Sequence, residues 1–260
     1  MSIEGRTAKG LSYRIDGPER APVLVLVNSI GMTATMWEAT LPAYARHFRT
    51  IRYDQRGHGL SAAPPAPYSM EDLGGDLIAL LDELGIKRAS ICGISLGGLI
   101  AMWTGAHHPG RIERLVVACS SAHPNDDAKW TARVMQARAE GMRSVVEQGS
   151  KGWFTPAFAA ANPEILRRLQ DVVAKTAVEG YVGCCDALRT VNLLPELSAI
   201  SAPTLVVAGS HDRGFPIAHA EAIRDGIKNS RLVVLDAAHI ACVEVPEQFA
   251  QVTLEHLTSR

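Results

Sequence analysis

The sequence predicts an α/β protein whose mostly parallel, doubly wound sheet carries an inserted helical cap. Two observations support this fold class. Six short runs rich in Val, Ile and Leu recur along the chain, and helix-forming stretches separate several of them. Each run is nearly all apolar instead of alternating, which is typical of strands that helices cover on both faces. Parallel neighbours of this kind need a crossover connection, normally a right-handed helix.

The predicted elements follow the chain in a regular order. The strands are expected at residues 23–27, 50–53, 89–92, 115–119, 204–208 and 232–235. Residues 70–84 carry five leucines at helical spacing, and Gly85 supplies a helix stop. Residues 99–107 predict a helix after the third strand, and a C-terminal helix is expected from about Pro246.

The strand rhythm breaks after Ser121. Between residues 122 and 195 no comparable Val-rich run occurs, and helix-forming stretches at 128–147 and 163–178 are separated by Gly and Pro. An insertion of this size is in the range of a small domain or lid. The chain is therefore predicted to divide into a first core part (1–121), a helical cap (122–195) and a second core part (196–260).

Composition and charge exclude several classes of function. The chain has 260 residues with 47% hydrophobic and 20% charged content, which is typical of a soluble globular protein. Its 26 Lys and Arg balance 27 Asp and Glu, so no overall field attracts nucleic acid or an acidic membrane. No apolar run is long enough to span a bilayer, and the first ten residues lack the apolar segment of a signal peptide. We expect a cytoplasmic protein with neither nucleic-acid nor membrane partners.

The cysteines and histidines predict neither a disulfide framework nor a metal site. The five cysteines are odd in number and form no C-x-x-C pair, and Cys184 and Cys185 are adjacent, so buried, reduced thiols are expected. No H-E-x-x-H occurs, and the His107-His108 doublet has no acidic or thiol companion at metal-ligand spacing.

A nucleophile candidate stands between the third strand and the helix that follows it. The segment Gly93-Ile94-Ser95-Leu96-Gly97 matches the G-x-S-x-G elbow, in which small residues flank a serine at a sharp turn and push its hydroxyl clear of the sheet. The bare pattern arises by chance in roughly one of ten such sequences, and a Gly-rich turn with a helix-capping serine is the alternative. The position between strand and helix favours Ser95 as a nucleophile.

A serine nucleophile needs a base, and the base needs an acid that orients it. Asp212 follows the strand at 204–208, and His239 follows the strand at 232–235. Residues just after parallel strands converge at one edge of the sheet, where sites form in open α/β folds. Ser95, Asp212 and His239 are therefore the predicted nucleophile, acid and base.

Other residues compete for these roles. Asp236 lies three residues before His239 and is an alternative partner for its imidazole, although the order serine, acid after a separate strand, histidine favours Asp212. His211 is interpreted as a loop histidine. His58, in the loop 54–61, is interpreted in the same way, because most such residues hold loops together.

An oxyanion hole needs two donors aimed at the developing alkoxide. The backbone N–H of Leu96, the residue after the nucleophile, is one candidate, and the N–H of Ile30, after the strand at 23–27, is the other. Asn28 and Ser29, in the same loop, are candidates for contact with the substrate.

Taken together, these motifs resemble the α/β-hydrolase superfamily over essentially the whole chain. Within it the sequence is most similar to the 3-oxoadipate enol-lactonases of aromatic catabolism. The segments that carry this similarity are Asn28-Ser29-Ile30-Gly31, residues 52–59, 92–98 and 138–142, and Trp153-Phe154-Thr155. Most superfamily members have His-Gly where this chain has Asn28-Ser29, and the lactonases resemble it there.

The resemblance implies hydrolysis of an anionic lactone without a cofactor. Ser95, deprotonated by His239, would attack the lactone carbonyl, and the ring oxygen would leave as an enol. His239 would then activate water and release 3-oxoadipate after tautomerisation.

The carboxylate of such a substrate calls for a cation or several donors in the pocket. Trp130 and Arg133 are three residues apart and would share one helix face, giving an aromatic wall and a guanidinium over the site. Lys129 and Arg138 are rivals for the same role. In the other interpretation Arg133 is solvated and Trp130 packs the cap.

Two other functions fit the same motifs. One is a different α/β hydrolase, either an esterase or a carbon–carbon bond hydrolase that acts on ring-cleavage products. The other is a hydrolase-fold receptor that binds a small ligand without turning it over.

Overall fold

The structure is a computed structural model that describes residues 3–259. Its strands are β1 (Ile3–Arg6), β2 (Ser12–Asp16), β3 (Val23–Val27), β4 (Arg49–Tyr53), β5 (Ala89–Ile94), β6 (Ile112–Ala118), β7 (Thr204–Gly209) and β8 (Ser230–Leu235). Within the described residues they form one sheet in the order β1-β2-β4-β3-β5-β6-β7-β8. Strands β3 to β8 pair in parallel, and β2 pairs antiparallel with β1 and β4. The predicted mostly parallel sheet is confirmed.

The two N-terminal strands are absent from the sequence-based prediction. β1 lies at the edge of the sheet and β2 beside it, and most of their residues are exposed or half-buried. Neither strand contains a continuous apolar run, so hydrophobic patterning does not detect them. Both strands are defined by their pairing: β1 pairs with β2, and β2 pairs with β4 in a register that runs from Tyr13 opposite Tyr53 to Asp16 opposite Thr50.

Helices flank the sheet and fill the insertion after β6. They are α1 (Leu41–Tyr44), α2 (Met70–Glu83), α3 (Leu96–His107), α4 (Asp127–Glu140), α5 (Met142–Gly149), α6 (Pro156–Ala161), α7 (Pro163–Ala174), α8 (Val178–Thr190), α9 (Ile217–Gly226), α10 (Ala241–Glu244) and α11 (Pro246–Thr258). None of them has the length and apolar character needed to cross a bilayer.

The ends of α2 show why the predicted helix forms. The Ser69 hydroxyl accepts from the Asp72 N–H at 3.0 Å, and the Asp72 carboxylate accepts from the Ser69 N–H at 2.9 Å. This reciprocal capping box satisfies two backbone groups that the first turn leaves free. Gly85 has a φ of +67°, which ends the helix in the left-handed conformation that glycine adopts at least cost.

The two long helices predicted in the insertion are wrong in their extent. Residues 128–147 form two helices, α4 and α5, because the chain breaks at Gly141, which has a φ of +78°. The helix predicted over 163–178 ends at Ala174, and α8 begins at Val178 after an extended residue, Ala177. A helical propensity pattern does not locate such short breaks when tertiary contacts decide them.

The insertion packs on the loops at the carboxyl edge of the sheet. Loop 54–61, after β4, touches α8 so closely that a Cβ on Gly57 would lie 2.2 Å from the Cα of Gly180. Only glycine at both positions allows this contact between the two backbones. The helical nature of the insertion is thus observed, while the division into 1–121, 122–195 and 196–260 stays a prediction.

Candidate active site

Ser95 stands at the turn between β5 and α3. Its φ is +58° and its ψ is −119°, a conformation that non-glycine residues rarely adopt. The Ser95 N–H donates to the Ala118 carbonyl at 2.9 Å, and the Ser95 carbonyl accepts from the Ser120 hydroxyl at 2.7 Å. Strand β6 and the residues after it therefore hold the strained turn in place.

The two glycines of the elbow are required by close packing. A Cβ on Gly93 would lie 2.0 Å from the Gly97 carbonyl oxygen, and a Cβ on Gly97 would lie 2.1 Å from the Val27 carbonyl oxygen. Neither neighbour is a flexible side chain that could move away. The G-x-S-x-G spacing thus follows from the backbone geometry of the turn.

His239 and Asp212 form a buried pair at the same edge of the sheet. His239 Nδ1 lies 2.8 Å from Asp212 Oδ2, across 27 positions of sequence. The Asp212 side chain is fully buried, and its Oδ1 accepts from the N–H groups of Gly214 and Phe215 at 2.8 and 3.0 Å. An ionised carboxylate here accepts from Nδ1–H and leaves Nε2 of the imidazole as the basic nitrogen.

The pKa of Asp212 is lowered by these contacts. Burial acts to raise it, but the charge and hydrogen bond of His239 and the two backbone donors outweigh burial, so the pKa lies below its ordinary value. The carboxylate therefore stays ionised at neutral pH, as an imidazole-orienting acid must.

The alternative acid, Asp236, is excluded as the partner of His239. Its side chain is 88% exposed, and it accepts instead from His211 Nε2 at 2.8 Å. The predicted reading of His211 as a loop histidine agrees with this contact.

Ser95 and His239 line one cavity of about 200 Å³ beneath the insertion. Its walls are Ser29, Ile30, Ser95, Lys129, Trp130, Arg133, Val145, Val146, Gly149, Gly152, Trp153, Val173, Tyr181, Arg213, Gly214, Phe215 and His239. In the described part of the chain no hydrogen bond joins Ser95 to His239. Such bonds are often long in unliganded enzymes and tighten with substrate bound.

The backbone donors predicted for an oxyanion hole are free in this structure. Among residues 3–259 neither the Ile30 N–H nor the Leu96 N–H donates a hydrogen bond outside a regular helix or strand. Ile30 lines the cavity, and Leu96 follows Ser95 at the first position of α3. Their role as oxyanion donors stays a prediction.

His58 holds the loop that carries Ile30. Its Nε2 accepts from the Gly31 N–H at 2.8 Å, and its Nδ1 lies 3.0 Å from the Arg56 carbonyl and donates to it. The ring is wholly buried, and burial lowers the pKa of His58, which favours the neutral tautomer that both contacts require. The Gly31 carbonyl in turn accepts from the Thr176 hydroxyl, which belongs to the insertion, at 3.1 Å.

The interpretation that His58 holds loops together agrees with these contacts. Its contact with the Arg56 carbonyl lies within loop 54–61. The hydrogen bond to Gly31 crosses 27 positions of sequence, and no local pattern signals it.

The predicted substrate contacts divide into three that line the cavity and one that does not. Ser29, Trp130 and Arg133 are cavity walls. The prediction that Asn28 contacts the substrate is wrong. Asn28 is wholly buried, its Nδ2 donates to the Tyr53 carbonyl at 2.8 Å, and its Oδ1 accepts from Trp37 Nε1 at 2.8 Å. Its amide is used to join loops of the core and has no free face for substrate.

Three cationic side chains line the cavity, and none of the lining residues, all from the described part of the chain, is acidic. They are Lys129, Arg133 and Arg213. Of the two rivals to Arg133, Lys129 is a wall, whereas Arg138 is exposed and pairs with Glu179 at 3.3 Å outside the cavity. Arg213 was missed, although its position next to Asp212 was a signal that could have found it.

Two of these cations, Lys129 and Arg133, lie over aromatic rings. The Arg133 guanidinium carbon lies 5.0 Å from the Trp130 ring centroid, and Lys129 Nζ lies 5.1 Å from that centroid and 5.9 Å from the Phe215 centroid. Burial and the nearby Arg133 charge lower the pKa of Lys129, and the charges of Asp126 and Asp212 offset this only in part. The site therefore concentrates positive charge in a partly dry space.

Trp130 also leaves a donor without a partner. Its side chain is buried, and its Nε1–H has no acceptor within residues 3–259. Buried donors are nearly always paired in folded proteins, so an orphan beside a cavity indicates a place where a ligand acceptor fits.

All five cysteines are buried and unpaired, which agrees with the predicted thiols. Within the described residues no three His, Cys, Asp or Glu side chains cluster as metal ligands would.

Comparison with known proteins identifies the family. The model of the alpha/beta hydrolase fold matches residues 22–246. The chain belongs to the α/β-hydrolase family. The similarity to enol-lactonases that the sequence motifs indicate is confirmed: 3-oxoadipate enol-lactonase 2 of Acinetobacter baylyi is 38% identical, over 92% of this chain and 90% of its own length.

Two further relatives of this hydrolase cover nearly the whole chain. The crystal structure of the enol-lactonase from Burkholderia xenovorans LB400 superposes with a TM-score of 0.95 at 37% identity, covering 99% of this chain and 100% of that one. A protein of Stutzerimonas stutzeri, provisionally named carbamate hydrolase RutD, is 32% identical over 92% of this chain and 93% of its own length.

Proposed function

We propose that this hydrolase opens the lactone ring of 3-oxoadipate enol-lactone and releases 3-oxoadipate, as a step in aromatic-compound catabolism. The observation that carries the proposal is the cavity that joins Ser95 and His239 to three cationic walls without an acidic one. An uncharged ester has no use for that charge, whereas a lactone with a carboxylate does. The similarity to two proteins named as enol-lactonases supports the same substrate.

The chemistry follows from the roles of three side chains. His239 Nε2 takes the Ser95 proton while Ser95 Oγ bonds to the lactone carbonyl carbon, and the carbonyl π electrons move to its oxygen. When that oxyanion collapses, the bond to the ring oxygen breaks, and the proton on His239 passes to it to give an enol. Water, deprotonated by His239, then attacks the acyl carbon, the bond to Ser95 Oγ breaks, and His239 returns the proton to that oxygen. The released enol tautomerises to the ketone. Asp212 keeps Nδ1 protonated throughout.

The oxyanion is stabilised by backbone groups in this proposal. The N–H groups of Ile30 and Leu96 are free to donate to it and need no rearrangement when charge develops. His58 and Thr176 fix Gly31 from two sides, which limits movement of the neighbouring Ile30 donor.

The substrate carboxylate is assigned to the aromatic and cationic wall. Arg133 and Lys129 flank Trp130, and the unpaired indole N–H of Trp130 adds a neutral donor beside two charges. A carboxylate accepts up to four hydrogen bonds, so it can use all three donors at once.

A substrate panel tests the proposal. Steady-state kcat/KM is measured on 3-oxoadipate enol-lactone, on uncharged 4-nitrophenyl acetate and on an anionic carbamate. We expect the enol-lactone to be the best substrate. Faster turnover of the carbamate or of the ester would overturn the assignment in favour of another hydrolase, and tight binding of 3-oxoadipate without any hydrolysis would indicate the receptor.

A matched pair of variants tests the carboxylate contact. Arg133→Met removes a charge-assisted hydrogen bond, so KM for the enol-lactone should rise about 10- to 100-fold with little change in kcat. Arg138→Met is the control, because this residue lies on the same helix but points to an exposed ion pair. Unchanged KM in Arg133→Met, or an equal loss on the uncharged ester, would remove Arg133 from substrate binding.

A further inference from the structure

We propose that Glu244 is a positioning residue that joins the loop bearing His239 to the insertion segment 153–155. This inference rests on the proposed roles of Ser95 and His239. Glu244 touches neither of these side chains. It would act through the backbone of Ala238, the residue before His239.

Glu244 ends the short helix α10, five residues after His239, and is only 8% exposed. Its Oε2 accepts from the Ala238 N–H at 2.8 Å. Its Oε1 accepts from the Thr155 N–H at 2.9 Å and from the Thr155 hydroxyl at 2.5 Å. One carboxylate thus bridges the residue before the proposed base and a residue of the insertion 89 positions away in sequence.

The environment of this carboxylate explains why it needs all three donors. Within residues 3–259 no Lys, Arg or His forms an ion pair with Glu244. A buried carboxylate that lacks a cation is costly unless hydrogen bonds replace its lost water. A glutamine has the same shape but only one acceptor oxygen, and its amide nitrogen would face one of the present donors. The contact is therefore specific for the carboxylate.

A second hydrogen bond ties the other side of the same loop to the same segment. The Ile240 N–H donates to the Trp153 carbonyl at 3.0 Å. The N–H groups of the residues before and after His239 are thus both connected to segment 153–155, one through Glu244 and the other directly. Trp153 is itself a wall of the cavity.

The consequence is a mechanical link between the base and the pocket wall. His239 is oriented by Asp212 through its ring and by Glu244 through its backbone. If Glu244 no longer holds Ala238, the imidazole can shift relative to Ser95 while the cations of the cavity stay in place. We expect the loss to appear in the chemical step and not in affinity for anions, because a shift of about 1 Å at a reacting group can cost up to 10²-fold in rate.

The first test compares Glu244→Gln with Glu247→Gln. Glu247 carries the same side chain three residues further on and is exposed, so it controls for the loss of one negative charge. We measure kcat and KM per active enzyme, and the rate constant of covalent inactivation by paraoxon. Paraoxon reacts with a serine activated by histidine and carries no carboxylate, so it reports the position of His239 without substrate recognition.

In Glu244→Gln we expect kcat and the paraoxon rate to fall about tenfold together, with KM for the enol-lactone and the inhibition constant of 3-oxoadipate within twofold of wild type. Glu247→Gln should match wild type in every measurement. A rise in KM without a fall in the paraoxon rate, or wild-type values throughout, would overturn the proposal.

A second pair of variants carries the test if Glu244→Gln does not fold. Thr155→Val removes the hydroxyl donor at nearly constant shape, and Thr155→Ser keeps it. The valine variant should lose paraoxon reactivity about three- to tenfold, since a hydrogen bond to a charged group is lost, and the serine variant should restore most of it. Equal rates in the two variants, at equal melting temperatures, would contradict the link.

Failure of this inference is distinguishable from failure of the proposed function. If the wild-type protein neither reacts with paraoxon nor hydrolyses the enol-lactone, the roles assigned to Ser95 and His239 are wrong. If the wild type does both and the Glu244 and Thr155 variants equal it, only the positioning role is wrong.

Discussion

Helix α3 follows Ser95, and helix α4 carries three walls of the cavity, Lys129, Trp130 and Arg133, but the surroundings of the two helices are opposite. In α3, which follows Ser95, ten of twelve residues are buried, and the helix lies against the sheet. In α4, which carries Lys129 and Arg133, Trp130 and Ala137 are the buried residues among fourteen. Ser95 is held by the core of the protein, whereas two of the three cations, Lys129 and Arg133, lie on a helix whose residues are mostly exposed or half-buried.

The hydrogen bonds of the two regions differ in the same way. Around Ser95 and Gly31 they are buried and join backbone groups to one another or to buried side chains such as Ser120 and His58. On the insertion several of them are exposed ion pairs, such as Arg138 with Glu179 and Arg143 with Asp171. Exposed pairs of this kind contribute little to stability. The comparison teaches that the core can keep reacting groups in a strained geometry, while the insertion can change its charges without loss of the fold.

The largest loss of kcat should come from a substitution in the core. Ser95→Ala removes the nucleophile, and kcat is expected to fall about 10⁶-fold. Binding of 3-oxoadipate, measured by titration calorimetry, should persist, because the cations of α4 are untouched. Ser210→Ala, at an exposed position after β7, is the control and should keep wild-type kcat. A residual kcat above one hundredth of the wild-type value would show that Ser95 is not the nucleophile.

A smaller loss is expected from a core residue that only positions the loop after β3. His58→Leu leaves the buried Gly31 N–H without an acceptor and frees the neighbouring Ile30. Removal of an oxyanion donor costs about 10²- to 10³-fold, so a displaced donor should cost about 10- to 100-fold in kcat. His211→Leu, at an exposed loop histidine, is the control.

The outcome for His58 bears directly on the comparison. We expect KM for the enol-lactone to stay near that of wild type while kcat falls, because the cationic wall lies on the insertion. A change in KM alone would show that the core loop recognises substrate, and the distinction between the two regions would fail.

The smallest effect should come from the insertion and depend on pH. The pKa of Lys129 is lowered by burial and by Arg133, so its charge is lost at a lower pH than that of an ordinary lysine. The inhibition constant of 3-oxoadipate should therefore rise as pH increases through that lowered pKa. In Lys129→Met the constant should be up to about tenfold higher at neutral pH and should lack this rise.

Lys151→Met provides the matched control, since this lysine of the insertion is exposed. It should show the same pH dependence as wild type. A rise with pH that persists in Lys129→Met would assign the titration to another group.

Much of the core was predictable because its signals are local. The six apolar strands, the capped helix α2 and the elbow around Ser95 each occupy one short segment, and the structure has all of them. Glycines 93 and 97 are specified by contacts within a few ångströms of the turn itself. Strands β1 and β2 were not predictable, because neither contains a continuous apolar run.

The insertion was less predictable because its helices have weak boundaries. Gly141 divides α4 from α5, although the residues on both sides favour helix. Arg138 and Arg133 lie five residues apart on α4, yet one is a surface ion pair and the other a cavity wall. Which side of a half-exposed helix faces a cavity depends on how the helix is placed on its neighbours.

The sequence by itself determined the family of the protein and the order of its core strands. It also determined the candidate residues Ser95, Asp212 and His239, because each of these three residues follows a strand within a few positions. The tertiary structure decided the pairings between loops: Asp212 and not Asp236 with His239, His58 with Gly31, Asn28 with Trp37, and Glu244 with Thr155. Many of these contacts join segments far apart along the chain. The register of the sheet and the packing of the insertion decide which residues meet, and no single segment of the sequence determines either of them.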